Sequence, residues 1–185
     1  MLEEFIETAK SNPTNAALLE GLPALRLPQC HLTAGCLFQA VWNRRSGVAA
    51  SALVKDYDIF YFDDSDLSWE AEDRVIKRVQ SHFSALGVQI EVKNQARVHL
   101  WYEKHFGNPY PKLTCATGGI DRYLISCTRI GIEAESGRLY APGGFEDLHQ
   151  GILRMNPMNR APARFMEKAL SFKNRWPWLT IVRPE

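Results

Sequence analysis

Residues 55–64 read KDYDIFYFDD, an apolar run between two pairs of aspartates. Its apolar centre, residues 59–62, is typical of a strand buried in a sheet. Asp56 and Asp58 flank that centre on its N-terminal side. Because side chains two residues apart in a strand point to the same face, these two carboxylates project together. Two carboxylates this close repel each other when both are ionised, and one pKa rises unless a cation lies between them.

Two interpretations of this pair remain open from spacing alone. Hard oxygen ligands suit Mg²⁺ or Mn²⁺, and Mg²⁺ binds through one or two carboxylates plus substrate phosphates. The alternative is a pair of solvated acids at an exposed strand end, since Asp-x-Asp is a common pattern. The other two acids of the stretch, Asp63 and Asp64, are expected to end the strand and lead into a helix capped by Ser68.

Further features of the sequence favour a phosphate and metal site. Glu91 lies in VQIEV, a segment expected to form the strand beside the first, which would bring a third carboxylate toward the pair. Gly35 and Cys36 precede a helix, and the N–H groups that begin a helix attract anions such as phosphate. The basic and amide side chains expected nearby are those of Arg44, Lys93, Gln95 and Arg97.

The segment after Glu91, VKNQARVHLW, is expected to continue as a strand. Regular alternation would then place Lys93, Gln95 and Arg97 on the same face as Glu91, as the polar wall of a site. The pattern fits equally well an amphipathic strand with one face toward solvent.

The order of predicted elements indicates an α/β (α+β) fold, with a small mixed sheet and helices packed on it. We expect one domain over residues 1–185, with N-terminal helices in 1–20 and a C-terminal helix in 162–176 as appendages. The chain has a net charge of +1, which makes nucleic acid an unlikely partner.

The compartment is also predicted from composition. The first residues, MLEEFIETAK, are acidic and lack the pattern of a signal peptide, and no apolar run approaches the length needed to cross a membrane. The four cysteines form no Cys-x-x-Cys pair, so buried free thiols and a cytoplasmic location are expected.

Several stretches together resemble a known family. They are AGCLFQAVWN, DYDIFYFDDSDLSWEAE, EVKNQARVHLW with the following NPY, APGGFEDL and RWPWL, spread from about residue 33 to the C-terminus. The order Gly35-Cys36, Asp56-x-Asp58 and Glu91 is similar to that of the DNA-polymerase-β-like nucleotidyltransferase superfamily. More closely, the sequence resembles a bacterial nucleotidyltransferase-like family within it.

The resemblance implies a nucleotidyltransferase fold and an Mg²⁺- or Mn²⁺-dependent enzyme, with two ions held by Asp56, Asp58 and Glu91. Such an enzyme transfers a nucleoside monophosphate from an NTP, such as ATP, to an acceptor hydroxyl and releases pyrophosphate. The acceptor could be a small molecule, a protein side chain or an RNA end. Cys36 departs from the pattern, because the superfamily has Gly or Ser there, and a hydroxyl contact to phosphate would be lost.

Two other functions remain open. One is a nucleotide- and metal-binding protein of the same fold with weak or absent catalysis, acting as a sensor or interaction partner. The other is an RNA-binding module using Lys93, Arg97 and the aromatic residues. Tyr110 is a candidate for acceptor recognition, and Trp101 and Tyr102 could stack a base or pack in the core.

Overall fold

The computed structural model describes residues 2–184. Its centre is a five-stranded mixed sheet in the order β3-β2-β1-β4-β5, and two further short strands pair separately. In chain order the strands are β1 His31–Thr33, β2 Tyr57–Tyr61, β3 Ile90–Asn94, β4 Gly131–Glu133, β5 Leu139–Tyr140, β6 Ile152–Leu153 and β7 Thr180–Ile181. The expected small mixed sheet is therefore confirmed.

Helices cover this sheet. They are α1 Leu2–Lys10, α2 Pro13–Gly21, α3 Gly35–Arg45, α4 Trp69–His82, α5 Tyr102–Phe106, α6 Thr117–Ile120, α7 Glu146–Gln150 and α8 Pro162–Arg175. Short 3₁₀ turns lie at Leu22–Leu25, Ser84–Leu86, Val98–Leu100 and Ser126–Thr128. The hydrophobic core is one continuous cluster that runs from Phe5 in α1 to Leu179 before β7. Within residues 2–184, no helix is both long and apolar enough to cross a membrane.

The strand predicted from the opening stretch is β2, and it lies between β1 and β3. Tyr57, Ile59 and Tyr61 face the core, in keeping with the period of two. β2 runs antiparallel to β1 and parallel to β3. The crossover that a parallel pair requires is made by α4, whose first turn is capped by Ser68 as predicted: the Ser68 Oγ accepts from the Ala71 N–H at 3.2 Å.

The strand after Glu91 is shorter than expected. β3 ends at Asn94, because the Asn94 side chain bonds to neighbouring backbone and closes a turn. Its amide oxygen accepts from the Asp63 and Ala96 N–H groups, and its amide nitrogen donates to the Asp63 carbonyl. Alternation therefore stops before Arg97, and the predicted common face of Lys93, Gln95 and Arg97 is wrong at Arg97.

Two polar side chains connect helices to the rest of the fold. Asn12 caps α2, and its side chain accepts from the Thr14 N–H. Asn15 is buried and donates to the carbonyls of Ala9 and Cys36, which ties α2 to α3. Asp121 follows α6, and its carboxylate accepts from the Tyr140 hydroxyl at 2.8 Å.

The C-terminal helix α8 packs on α3 through aromatic side chains. Phe172 contacts Phe38 and Trp42 edge-on, with ring centroids 5.5 and 5.4 Å away. Trp176, just beyond the helix, stacks edge-on against Trp42 and donates to the Asn43 amide oxygen at 2.9 Å. This packing places the polar face of α8 above the sheet.

Candidate active site

A cleft of about 610 Å³ lies over the face of the sheet that carries Asp58. Its floor is formed by β2 and β3, one end by the start of α3, and one wall by α8. The opposite end is lined by aromatic residues of and around α5. A volume of this size is typical of a pocket for a small molecule or cofactor.

All three predicted carboxylates, those of Asp56, Asp58 and Glu91, line this cleft. Asp58 and Glu91 are direct partners in the parallel register of β2 and β3, so their side chains leave the sheet side by side. Asp56 precedes β2 by one residue and shares the face of Asp58 through the alternation of the backbone.

The carboxyl group of Asp58 has a pKa raised from 3.8 to about 7. The main cause is its removal from water, and the charges of Asp56 and Glu91 add to it, while Lys93 and Lys168 oppose it. Glu91 behaves differently. The Lys93 ammonium bonds to it at 2.8 Å, and this hydrogen bond is the main cause of a lowered Glu91 pKa.

The start of α3 forms one end of the cleft. The chain turns into this helix at Ala34, whose φ of 64° is unusual for a residue with a side chain. Strained backbone of this kind is concentrated at functional sites. Gly35 lines the cleft, whereas the Cys36 side chain is fully buried and its Sγ lies 3.4 Å from the Thr33 carbonyl oxygen. Any phosphate contact at Cys36 must therefore come from its backbone N–H.

Two predicted nucleotide-binding residues lie elsewhere. Arg44 is nine positions along α3 from Gly35, about 13 Å away, and donates to the Thr8 hydroxyl at 2.9 Å. Arg97 is buried in an ion pair with Glu72 and also donates to the Leu67 carbonyl. Neither lines the cleft, whereas Lys93 and Gln95 both do. The continuous strand expected after Glu91 was the source of the error at Arg97.

The structure adds cationic residues that the sequence analysis did not select. Arg164, Lys168 and Arg175 line the cleft from one face of α8. Their spacing of i, i+4 and i+11 follows the helical repeat, so this face could have been found in the sequence. The helix was expected to be an appendage, because its position over the sheet depends on contacts with α3, which are distant in sequence.

The donor set fits a divalent cation. Among the residues that the structure describes, neither Asp56 nor Asp58 is in a salt bridge, and a cation between them would offset both the burial and the Asp56 charge that raise the Asp58 pKa. Carboxylate oxygens are the ligands that Mg²⁺ and Mn²⁺ prefer. Within residues 2–184, however, no three acidic, histidine or cysteine side chains are already gathered around one point. The third predicted ligand, Glu91, is held by Lys93.

In a comparison with protein-family models, a family described as nucleotidyltransferase matches residues 20–181. That span includes the start of α3, all three carboxylates and the whole of α8. The chain belongs to this nucleotidyltransferase family. The predicted resemblance is thereby confirmed, and the protein is assigned to the enzymes of nucleotidyl transfer.

Solved structures support the same fold for this nucleotidyltransferase. An NMR structure described as a CCA-adding enzyme head domain is similar with a TM-score of 0.76 and 24% identity, over 98% of this chain and 96% of that chain. The Thermotoga maritima CCA-adding enzyme complexed with tRNA is similar with a TM-score of 0.53 and 14% identity. That match covers 98% of this chain but 42% of the other. No curated protein sequence gives a significant match.

Proposed function

We propose that the protein transfers a nucleoside monophosphate from an NTP to an acceptor hydroxyl and releases pyrophosphate, in a reaction that depends on a divalent metal. The observation that carries this proposal is the side-by-side placement of Asp58 and Glu91, with Asp56 on the same face of the same cleft. Acids that served only as a solvated surface would not be expected in a cleft, whereas these three carboxylates lie in one that is walled by α8.

Asp56, Asp58 and Glu91 would hold the metal, as Mg²⁺ or Mn²⁺ and in two sites. When bound, the ions would neutralise phosphate charge and make the acceptor hydroxyl a better nucleophile. Charge compensation at Asp58 is the energetic reason for binding, because this half-buried carboxylate lacks a salt bridge within residues 2–184. Glu91 would have to share its carboxylate between the metal and Lys93.

The triphosphate would lie along α8 from Lys168 to Arg175. The start of α3 would bind the β and γ phosphates through the N–H groups of Gly35 and Cys36. Arg175 is close to that end, since it bonds to the Gln39 side chain at 3.5 Å and to the Leu53 carbonyl at 3.3 Å. Lys93 and Lys168 would compensate charge near the carboxylates, where both affect the Asp58 pKa.

The acceptor oxygen would form a bond to the α-phosphorus while the bond to the pyrophosphate oxygen breaks on the opposite side. The hydroxyl proton would pass to Glu91 or to solvent, and pyrophosphate would leave toward Arg175 and the start of α3. Preorganised cations at the leaving group stabilise the charge that develops there. The lowered pKa of Glu91 keeps this carboxylate ionised and able to accept a hydrogen bond from the acceptor.

The class of acceptor remains broad. The near-neutral charge of the chain argues against extensive binding to nucleic acid. The fold argues the other way, because it is shared with a CCA-adding enzyme whose structure was solved in complex with tRNA. An RNA end therefore stands beside a small alcohol and a protein hydroxyl as an acceptor to be tested.

The test is thermal unfolding of the protein with each NTP, in MgCl₂ and in EDTA, followed by assay of pyrophosphate release with a panel of acceptors. We expect an NTP to raise the Tm by several degrees only with the metal, since a ligand specific for the folded state stabilises it. Asp58→Asn should abolish that shift. Asp64→Asn is the matched control, because Asp64 is exposed in the same stretch and does not line the cleft. No shift with any nucleotide would refute the site.

The ion pair between Lys93 and Glu91 favours a second candidate, a nucleotide-binding protein without transfer activity, because it occupies the third acid. A metal-dependent Tm shift without pyrophosphate release from any NTP, with or without the acceptors, would support this alternative. Release of one pyrophosphate for each acceptor modified would exclude it.

A further inference from the structure

The end of the cleft beyond Lys168 is lined by aromatic side chains that pack against one another at tilted angles. Tyr102 packs against Phe106 and Tyr110, with ring centroids 4.7 and 4.4 Å apart. Trp101 adds a fourth ring, 6.3 Å from Phe106. All four line the cleft. Phe106 is 37% exposed, so part of this large apolar ring is open to a ligand.

An arginine from α8 covers this group of rings. The Arg164 guanidinium lies 4.1 Å from the centre of the Phe106 ring, and its Nη1 donates to the Tyr102 hydroxyl at 2.9 Å. Arg122 approaches the other side of the group, 5.5 Å from the Tyr110 ring centre. Neither arginine forms a salt bridge with a carboxylate among residues 2–184. The subsite therefore combines apolar ring faces with two arginines that no carboxylate holds in a salt bridge, and Glu167 of α8 also lines the cleft.

The position of this subsite follows from α8. Arg164 and Arg175 are eleven residues apart on one helix, about 16 Å along its axis. Arg175 lies at the α3 end, where it interacts with the charge of Asp56, and Lys168 lies between, near Asp58 and Glu91. The carboxylates therefore lie between the aromatic subsite and the start of α3. This order matches that of an NTP, whose α-phosphate lies between the nucleoside and the terminal phosphates.

We propose that Tyr102, Phe106, Tyr110 and Arg164 form a stacking subsite for a nucleobase, filled by the base of the NTP. This inference rests on the proposed function, which places the triphosphate along α8. Aromatic rings and guanidinium planes stack on the face of any base. We therefore expect weak discrimination among the four bases, with purines bound more tightly because they offer a larger face.

The test compares the binding of Mg·ATP and Mg·tripolyphosphate by calorimetry. Stacking of one base changes affinity by roughly 5- to 150-fold, so we expect Phe106→Ala to weaken ATP binding about tenfold and to leave tripolyphosphate binding unchanged. Phe106→Leu should bind ATP as weakly as Phe106→Ala does, and Phe106→Trp should bind ATP as tightly as the unaltered protein. Because Phe106 is partly exposed, these variants are expected to fold.

A control variant for aromatic removal is Trp69→Leu, because Trp69 is 57% exposed and does not line the cleft. It should bind both ligands as the unaltered protein does. A parallel titration with a single-stranded oligoadenylate tests the other source of a base, the last nucleotide of an acceptor strand. Loss of oligoadenylate binding in Phe106→Ala, with unchanged ATP binding, would keep the stacking subsite but assign it to the acceptor.

Two results would overturn parts of this scheme separately. If Phe106→Ala changed the affinity for neither ATP nor oligoadenylate, while tripolyphosphate still bound, the stacking subsite would be wrong and the proposed function would stand. If neither ATP nor tripolyphosphate bound to the unaltered protein in the presence of Mg²⁺, the proposed function would fail, and the assignment of the subsite to the base of the NTP would fail with it.

Discussion

Asp58 and Glu91 are adjacent partners across the parallel strands β2 and β3, although α4 separates them in sequence. One of these carboxyl groups has a raised pKa and the other a lowered one. The difference arises from their partners, because Lys93 bonds to Glu91 while Asp58 is removed from water beside Asp56. Asp58 is therefore the acid that gains most from a bound cation.

Asp58→Asn should reduce nucleotidyl transfer by about 10²–10³-fold, the scale of losing one preorganised electrostatic group. The same change should raise the Tm of the metal-free protein near neutral pH, because a neutral amide replaces a poorly solvated carboxyl group. Steady-state assays and thermal unfolding in EDTA measure the two effects. A variant that lost both activity and stability would indicate a structural role for Asp58.

The stability of the metal-free protein should depend on pH through Asp58. Its pKa is about 7 in the folded protein against 3.8 for an unperturbed group, so the fold favours the protonated form. The stabilisation is complete below the unfolded pKa and is lost as the pH rises through about 7, a change of at most about 4 kcal/mol.

Urea unfolding of the unaltered protein and of Asp58→Asn, between about pH 5 and about pH 8 in EDTA, checks this dependence. The free energy of unfolding of Asp58→Asn should exceed that of the unaltered protein by an amount that increases with pH. Mg²⁺ should stabilise the unaltered protein most at the alkaline end, where metal and proton no longer compete. A difference that stayed constant with pH would contradict the assignment.

Lys93→Gln should weaken binding of Mg·NTP by about tenfold, because it removes a cation from the cleft. It should also raise the pKa of Glu91, which the Lys93 hydrogen bond lowers, and so move the acidic limb of the transfer rate to higher pH. Lys77→Gln is the control, since Lys77 pairs with Asp73 on the exposed face of α4. An unchanged acidic limb would exclude Glu91 as the group that must be ionised.

Glu72→Gln should destabilise the protein by about 3–5 kcal/mol, because it leaves the buried Arg97 charge without its partner. Glu72 also accepts from the Asn94 N–H, at the turn that positions Gln95 in the cleft. Disruption of the exposed Asp73–Lys77 pair should cost less than about 1 kcal/mol. Urea unfolding measures the loss in the free energy of unfolding when each pair is disrupted. Equal losses would show that burial does not make the Glu72–Arg97 pair more important to stability than the exposed pair.

Cys36→Ser should leave the affinity for Mg·NTP within about twofold, because no part of a fully buried side chain reaches the cleft. The serine hydroxyl can donate to the Thr33 carbonyl as the thiol does, so the fold should be retained. Calorimetry measures the affinity of both proteins for Mg·NTP. A gain of more than about fivefold would mean that the side chain at this position contacts phosphate when nucleotide binds.

Local features of the fold were predictable from the sequence. Ser68 caps α4 because a serine before an amphipathic run can satisfy the free N–H groups of the first turn. The hairpin of β4 and β5 follows from the turn around Gly137, whose φ of 69° suits glycine. Asn15 and Asp121 resembled caps equally well, but their partners were decided by contacts distant in sequence.

Asp56 and Asp58 could be placed on one face of a strand, and the chain assigned to its family, from the sequence alone, because a period of two fixes which side chains share a face. The cations that meet these acids are set by tertiary packing. The Asn94 turn directs Arg97 into a buried ion pair, and the packing of Phe172 and Trp176 on α3 brings the far end of the chain over the sheet. Periodicity acts over a few residues, whereas core packing joins segments from opposite ends of the chain.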